Sequence, residues 1–324
     1  MPHPPAAADW MAAAVALAER GRGRTAPNPN VGCLLVRGGR VVGRGWTQPG
    51  GRPHAEAMAL AAAGEAARGA TAYVTLEPCA HDSPRGPCCS DSLIEAGVAR
   101  VVVALQDPDP RTDGRGIARL REAGITVETG LLADAACDAM APWWTRRTRG
   151  RPFVTLKLAT SLDGRIALAD GSSRWITGDR ARAHAHLERA RHEAILVGRG
   201  TLEADAPRLD VRLPGLEDRG PRRFLLTRGD APEGWTVAAS PESVESVDSL
   251  LVEGGAGAAA AFLAADRVDR LLLYRAPILV GGGRAAIGDI GLADLSDAHG
   301  RWRLADSRLL GSDRLDVYER TRRE

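Results

Sequence analysis

His54 and Glu56 stand two residues apart, and two proline–cysteine pairs follow, Pro78-Cys79 and Pro87-Cys88. One imidazole and two thiolates make a three-ligand zinc site whose fourth tetrahedral position stays open for water, as a catalytic zinc requires. The two thiolates cancel the charge of the ion. The metal still acidifies its water, but a separate base must take that proton and return it to a leaving amine. Glu56, a carboxylate outside the ligand set, is spaced for that work, so the chemistry expected is hydrolytic removal of an exocyclic amine. His54, Cys79 and Cys88 are the expected zinc ligands and Glu56 the expected proton shuttle. Cys89 is the rival third ligand; Cys88 is preferred because it follows proline at the start of a helix. A purely structural zinc would take four protein ligands and leave Glu56 without a role.

Hydrolytic deaminases of this kind are marked by H-x-E followed by P-C-x-x-C, and here the gap from Cys79 to Cys88 is wider. Within the widened loop, His81 and Asp82 either face solvent or touch substrate. Cys33 and Cys137 read as ordinary buried thiols. Lys157 stands out because it is the only lysine in a chain with 43 Lys plus Arg residues. Arginine cannot replace a compact ammonium, so Lys157 is read as a catalytic cation rather than a snorkelling strand-end side chain. Glycine loops follow apolar runs at 198–201, 254–257 and 281–283, where backbone N–H groups could meet a phosphate at a helix start; tight turns are the plain alternative.

The elements that must position these residues alternate between helix and strand signals. Residues 9–20 read as a helix, and 31–36 with 40–45 as a hairpin across Gly38-Gly39. A helix should begin near Pro53-His54, since proline is favoured at the first helical position. A strand over 70–76 runs into the Cys79 loop, and Pro87-Cys88 opens a helix that stops at Gly97. A buried strand over 101–105, the turn Asp107-Pro108-Asp109-Pro110, a helix ending near Arg121 and a short strand over 126–128 complete an α/β layered unit. The arginine-rich stretch 142–152, with Trp143-Trp144, reads as a linker, with a helix end and surface loop as the plain alternative. Beyond it lie strands over 153–158, 194–197, 223–227, 249–252 and 270–274, with helices over 179–191 and 257–265. The expected domains are 1–145 and 151–324.

Composition bounds the function classes. The chain has 324 residues, 44% hydrophobic and 26% charged, with aromatics at only 4%, so the cores must be built from Ala, Leu and Val. A net charge of +2 and few aromatics argue against a nucleic-acid channel. The apolar run 12–18 is too short for a membrane span and meets Glu19-Arg20 at once. Five cysteines without a secretion signal suit reduced thiols in the cytoplasm.

Ala26-Pro27-Asn28-Pro29-Asn30-Val31-Gly32, Pro53-His54-Ala55-Glu56, Thr75-Leu76-Glu77-Pro78-Cys79 and Gln106-Asp107-Pro108 resemble the bifunctional deaminase/reductase family of riboflavin biosynthesis, which shares the wide cysteine gap. The second half continues the resemblance in residues 156–165, Trp175-Ile176-Thr177 and Glu253-Gly254-Gly255. The family's implied fold is a cytidine-deaminase-like α/β/α layered domain followed by a dihydrofolate-reductase-like α/β domain. The implied reactions are deamination of 2,5-diamino-6-ribosylamino-4(3H)-pyrimidinone 5′-phosphate and NADPH-dependent reduction of its ribosyl group to ribityl, with one Zn²⁺ per chain.

The resemblance further implies that Asn28 holds the pyrimidine. It places Ala159, Trp175, Thr201, Asp205, Gly255, Ala256, Gly257, Ala258, Ala259, Ala260 and Ala261 against NADPH, and Ser173, Arg189, Leu209, Arg212 and Glu253 against substrate. The implied partner is a small pyrimidine ribonucleotide, with no nucleic acid or membrane, and a homo-oligomer is expected. Departures occur at 80–86, at Asp205-Ala206-Pro207, and at Leu226-Thr227-Arg228, which lacks the family's Asp-Ser. The alternatives are a deaminase with a degenerate reductase-like half and a nucleic-acid deaminase.

Overall fold

A computed structural model describes residues 6–81 and 86–322 and divides the chain into two compact units, Met1–Gly150 and Arg151–Glu324. Asp82 lies outside the described residues.

In the first unit β1 (Gly32–Arg37) and β2 (Arg40–Trp46) form the expected hairpin, with Gly38 and Gly39 at φ +57 and +72. Positive φ at two successive positions is what a tight hairpin turn demands and glycine supplies at no steric cost. With β3 (Thr71–Leu76), β4 (Arg100–Leu105) and β5 (Thr126–Thr129) they form a sheet ordered β2-β1-β3-β4-β5. The hairpin is antiparallel, and β3, β4 and β5 run parallel.

Helices α1 (Ala7–Ala18) and α2 (Ala55–Ala63) press on opposite faces. A Cβ on Gly32 would come within 1.9 Å of the Ala14 carbonyl oxygen on α1. Gly45 pairs with Cys33, the next position along β1, so it points to the other face. There, Cβ atoms on Gly43 and Gly45 would meet the carbonyl oxygens of Ala59 and Ala55 on α2 at 2.2 and 2.0 Å. Alanine-rich helices and strand glycines thus let backbones approach where aromatics are scarce. Helices α3 (Cys89–Glu95) and α4 (Arg115–Glu122) follow, then α5 (Ala133–Ala139) and α6 (Ala141–Arg149).

The reading of 142–152 as a linker is corrected: most of it is α6. Proline at the first turn is compatible with a helix, and burial of Trp143 and Thr145 gives this arginine-rich stretch a packed face.

The second unit contains β6 (Phe153–Thr160), β7 (Arg165–Ala167), α7 (Asp179–Ala190), β8 (Ala194–Gly198), α8 (Arg199–Asp205), β9 (Arg222–Leu226) and β10 (Trp235–Ala238). It continues with β11 (Ser249–Val252), α9 (Ala256–Ala264), β12 (Arg270–Arg275), β13 (Arg284–Ala285), β14 (Trp302–Leu310) and β15 (Asp313–Arg320). The main sheet has the order β10-β9-β8-β11-β6-β12-β15-β14, with β7 and β13 paired apart. Strands β6 and β8 to β12 run parallel, and the central pair β8 and β11 is buried along nearly its whole length, as parallel strands covered on both faces are. Leu156 and Leu158 join the core beneath α9, so Lys157 points to the opposite face.

Of the glycine loops, 198–201 leads into a helix, α8, with Gly198 as its N-cap, whereas Gly281 to Gly283 lie beyond the end of β12 and open no helix; there the Val280 and Gly281 N–H groups donate to Asp163 at 3.1 and 2.7 Å.

Gly45→Ala should force α2 off the sheet and destabilise the protein by about 1–3 kcal/mol, as overpacking against backbone does. Denaturant unfolding measures this, and zinc content should fall with stability because His54 and Glu56 ride on the start of that helix.

Candidate active site

In the deaminase-like unit, three ligand atoms converge. His54, Cys79 and Cys89 each offer one atom, all within 4.8 Å of one another. His54 is the N-cap of α2, and its Nδ1 lies 3.2 Å from Cys89 Sγ and 3.7 Å from Cys79 Sγ. Cys79 leaves the carboxyl end of β3, and Cys89 is the first residue of α3. The Cys89 N–H donates to Cys79 Sγ at 3.3 Å.

The preference for Cys88 is therefore corrected. Cys88 is the N-cap of α3, and its thiol turns back to donate to the Cys79 carbonyl at 2.7 Å, with Ser90 Oγ at 2.9 Å. Capping geometry orients the N-cap side chain along the helix end, whereas the next residue projects from its flank.

The donor set fits zinc: a half-buried imidazole and two buried thiols, mutually close, with a carboxylate beside them. The hydrogen bond from the Cys89 side chain is the main influence pulling the Cys79 thiol well below its ordinary range, which favours the thiolate a metal ion needs. Glu56 is 3% exposed and is hydrogen-bonded to Cys89 rather than held among the three converging atoms. Burial pushes its carboxyl up to about 7, with His54 opposing, a range suited to taking and returning protons near neutrality; a neighbouring divalent cation would lower it.

Asn28 Nδ2 donates to the Gly51 carbonyl at 2.8 Å and lies 3.1 Å from His54 Nε2, so it holds the face of the imidazole turned away from the thiols. A cavity of about 140 Å³ opens over these groups, lined also by His81, Asp107, Asp109, Arg52, Arg111, Trp143 and Arg147. Burial pushes Asp107 up to about 6. Asp109 is held at about 2, first by hydrogen bonds from Arg111, at 3.0 Å from Nε and 2.6 Å from the terminal nitrogen. From the sequence, 107–110 reads as a turn overlapping a family motif, and 142–152 as a linker or a helix end, with neither assigned to the site. The available signal was placement of the first at the carboxyl end of β4, beside the end of β3 that delivers Cys79. Cys33 is fully buried and Cys137 half-buried.

In the second unit, Lys157, Arg189 and Glu253 form a charged cluster. Arg189 donates to both Glu253 oxygens at 2.7 and 3.0 Å, and Lys157 Nζ stands 3.6 Å from the carboxylate. Burial pushes Glu253 up, but Lys157 and Arg189 outweigh it and hold the carboxyl at about 2. Arg189 also donates to the Asp210 carbonyl at 3.0 Å, and Asp210 pairs with Arg212 at 3.3 Å, bringing that expected residue alongside. Leu209 is buried next to them. Ala159 lies two residues beyond Lys157 on the same strand face. Lys157 Nζ stands 5.8 Å from the Tyr274 ring centre, and Tyr274 is bonded to His184 at 2.7 Å.

Gly255 is the N-cap of α9 and donates its N–H to Thr201 Oγ1 at 2.9 Å, joining the starts of α8 and α9 at the ends of neighbouring strands β8 and β11. A Cβ on Gly254 would meet Ala258 at 2.4 Å, so only glycine fits this cradle. Such a helix start suits a dinucleotide phosphate. Among the expected alanines, Ala258, Ala259 and Ala260 turn into the core, so the first-turn backbone of Gly255, Ala256 and Gly257 is what faces outward, with Ala261 half-buried. Arg174 ties the segment holding Ser173 and Trp175 to the Asp205 carbonyl at 3.1 Å. Trp175 is exposed, with the Arg182 guanidinium 4.8 Å from its ring centre. No hydrogen bond or ion pair among the described residues joins Ser173 or Trp175 to the Lys157 cluster. Where the family's Asp-Ser is absent, Thr227 Oγ1 accepts from Arg199 at 2.9 Å.

Comparison with known proteins agrees with this division. The cytidine and deoxycytidylate deaminase zinc-binding region family matches residues 5–105, and the RibD C-terminal domain family matches 152–238 and 243–315. Riboflavin biosynthesis protein RibD of Escherichia coli K12 is 39% identical over 94% of this chain and 96% of its own length. That of Mycobacterium tuberculosis H37Rv is 41% identical over 91% of each. Among solved structures, Acinetobacter baumannii RibD superposes with a TM-score of 0.86 at 36% identity, covering 97% of this chain and 99% of that one. A Thermotoga maritima protein named as a diaminohydroxyphosphoribosylaminopyrimidine deaminase/5-amino-6-(5-phosphoribosylamino)uracil reductase gives 0.86 at 33% identity, covering 97% and 98%. With a zinc-binding deaminase region in one unit and a reductase in the other, the chain belongs to the RibD family of bifunctional riboflavin-biosynthesis enzymes.

Proposed function

We propose that His54, Cys79 and Cys89 hold zinc and that Glu56 carries protons in deamination of 2,5-diamino-6-ribosylamino-4(3H)-pyrimidinone 5′-phosphate. The observation that carries this reading is the convergence of those three ligand atoms beside a buried carboxylate outside the set. When bound, zinc supplies the Lewis acidity that makes water a nucleophile at neutral pH. Glu56 takes the water proton and passes it to the departing amine, while Asn28 steadies the imidazole and borders the pyrimidine. The walls of the cavity keep bulk water from the ring.

The second unit then reduces the ribosyl group to ribityl. The starts of α8 and α9, joined through Gly255 and Thr201, would hold NADPH, which when bound would supply the reducing equivalents. Lys157, fixed by Glu253 and Arg189, orients the sugar hydroxyls and stabilises charge developing on the oxygen at the reacting carbon. Both reactions act on a small nucleotide rather than a nucleic acid. No helix among the described residues is long and apolar enough to cross a membrane. Reduced thiols at the zinc site fit a cytoplasmic setting, and we take the working enzyme to be a homo-oligomer.

Glu56→Gln should retain zinc yet lose on the order of 10² to 10⁴ in deamination rate, as loss of a general acid/base does; near-normal turnover would remove Glu56 from its role. Cys89→Ser should lower zinc content and thermal stability together, since metal binding is coupled to folding, whereas Cys88→Ser should keep its metal. Elemental analysis of the two purified variants separates these outcomes. Lys157→Arg should slow NADPH-dependent reduction on the order of 10²-fold while deamination continues and the deaminated intermediate accumulates. Product mass analysis reads both steps at once, and a wild-type protein that never reduces the intermediate would instead favour a degenerate second half.

A further inference from the structure

The deaminase cavity carries two arginines, Arg52 and Arg147, that no carboxylate among the described residues holds in a hydrogen bond or ion pair, although the charge of Arg147 reaches Asp107 and Asp109. Arg52, just before the Pro53-His54 helix start, and Arg147, on α6, both line the cavity, and neither makes a hydrogen bond or ion pair among the described residues. Arg111, the third arginine of the lining, is occupied by Asp109 through a two-pronged contact. Arg147 is exposed, and Arg52 is half-buried. Trp143 and Arg147 are four residues apart on α6, so they share one face and are separated by a rise of roughly 6 Å. Trp143 is buried in the wall with its Nε1 unpartnered, and the Arg147 guanidinium sits 5.8 Å from its ring centre. The ring thus holds the guanidinium at the mouth without neutralising it.

We propose that Arg52 and Arg147 clamp the 5′-phosphate of the deaminase substrate, with Trp143 as the platform that fixes Arg147. This rests on the reading that the pyrimidine lies beside His54 and Glu56. With the ring at that buried end, the ribose phosphate would extend outward past the lining residues, among them half-buried Arg52 and exposed Arg147. The acidic side chains facing the same cavity do not repel it strongly. Glu77 is covered by backbone N–H donors, Asp109 is balanced by Arg111, and Glu56 lies at the ring end. Asp107, the remaining carboxylate, is 8% exposed and lies within the influence of Arg147. Guanidinium suits this work because its fork of donors matches phosphate oxygens two at a time.

The test compares deamination of the phosphorylated substrate with that of the dephosphorylated riboside, in wild type, Arg52→Met, Arg147→Met and the double variant. Zinc content and melting temperature serve as checks on folding. Each single variant should raise KM for the phosphorylated substrate about tenfold, and the double variant more, with KM for the riboside unmoved. Added salt should weaken binding of the phosphorylated substrate in wild type and much less in the double variant. Unchanged KM for the phosphorylated substrate in the double variant overturns the clamp, and so does an equal rise for both substrates. If wild type deaminates neither compound, the placement of the pyrimidine falls and the clamp with it.

Discussion

A single buried carboxylate organises the deaminase site. Glu77, adjacent to Pro78-Cys79, accepts hydrogen bonds from the N–H groups of Asp107, Gly114, Gly116 and Ile117 at 3.2, 2.9, 2.8 and 3.1 Å. These donors are the unsatisfied start of α4 and the loop after β4, and an anion at a helix N-terminus is favoured by the helix dipole as well. The result is one knot that ties the exit of β3, which delivers Cys79, to the loop that delivers Asp107 and Asp109. The fit is close, since a Cβ on Gly116 would come within 2.0 Å of the Pro78 carbonyl oxygen. Removing a donor or the acceptor would leave buried charge or buried N–H groups unsatisfied, which costs more than the bond itself contributes.

The second unit solves a similar problem with charge. Asp269, at the start of β12, accepts from Arg151 at 2.7 Å twice, from the Val154 N–H at 2.9 Å and from Arg322 at 2.5 Å. Both ends of this unit's chain are thereby pinned to one carboxylate at the edge of the central strands. Glu253 does the same at the opposite ends of those strands, where Lys157 and Arg189 balance it. Buried charges are tolerable only when paired and hydrogen-bonded, and here the pairing also fixes the orientation of Lys157 and Arg189.

Much of this was legible in the sequence, for identifiable reasons. The Gly38-Gly39 turn and the stop at Gly97 (φ +69) depend on local backbone rules and appear where those rules place them, whereas α2 begins at Ala55 with His54 as its cap, leaving Pro53 just outside rather than at the first helical position. The sequence favours Cys88, whereas the structure turns Cys89 toward His54, because the difference is a single step of helical phase at α3. The role of α6 was hidden for another reason: its arginines are solvent-facing or at the mouth of the cavity, and only Trp143 and Thr145 betray the packed face. In the reductase half, the resemblance named Ala258, Ala259 and Ala260, yet these are core residues whose neighbours' backbone faces outward. A side-chain alphabet cannot show contacts made by main-chain N–H groups.

The helix cap at Cys88 also changes what counts as spacing in a motif of this kind. Which thiol turns toward His54 is decided by where α3 begins, not by how many residues separate it from Cys79. The intervening loop is thereby released from any fixed length: residues can be gained or lost there while the ligand set keeps its geometry, provided the capping position is kept. Homologous sites are then better aligned by the phase of the helix that carries the second thiol than by counting along the chain, and two proteins with unequal gaps can share one and the same coordination frame.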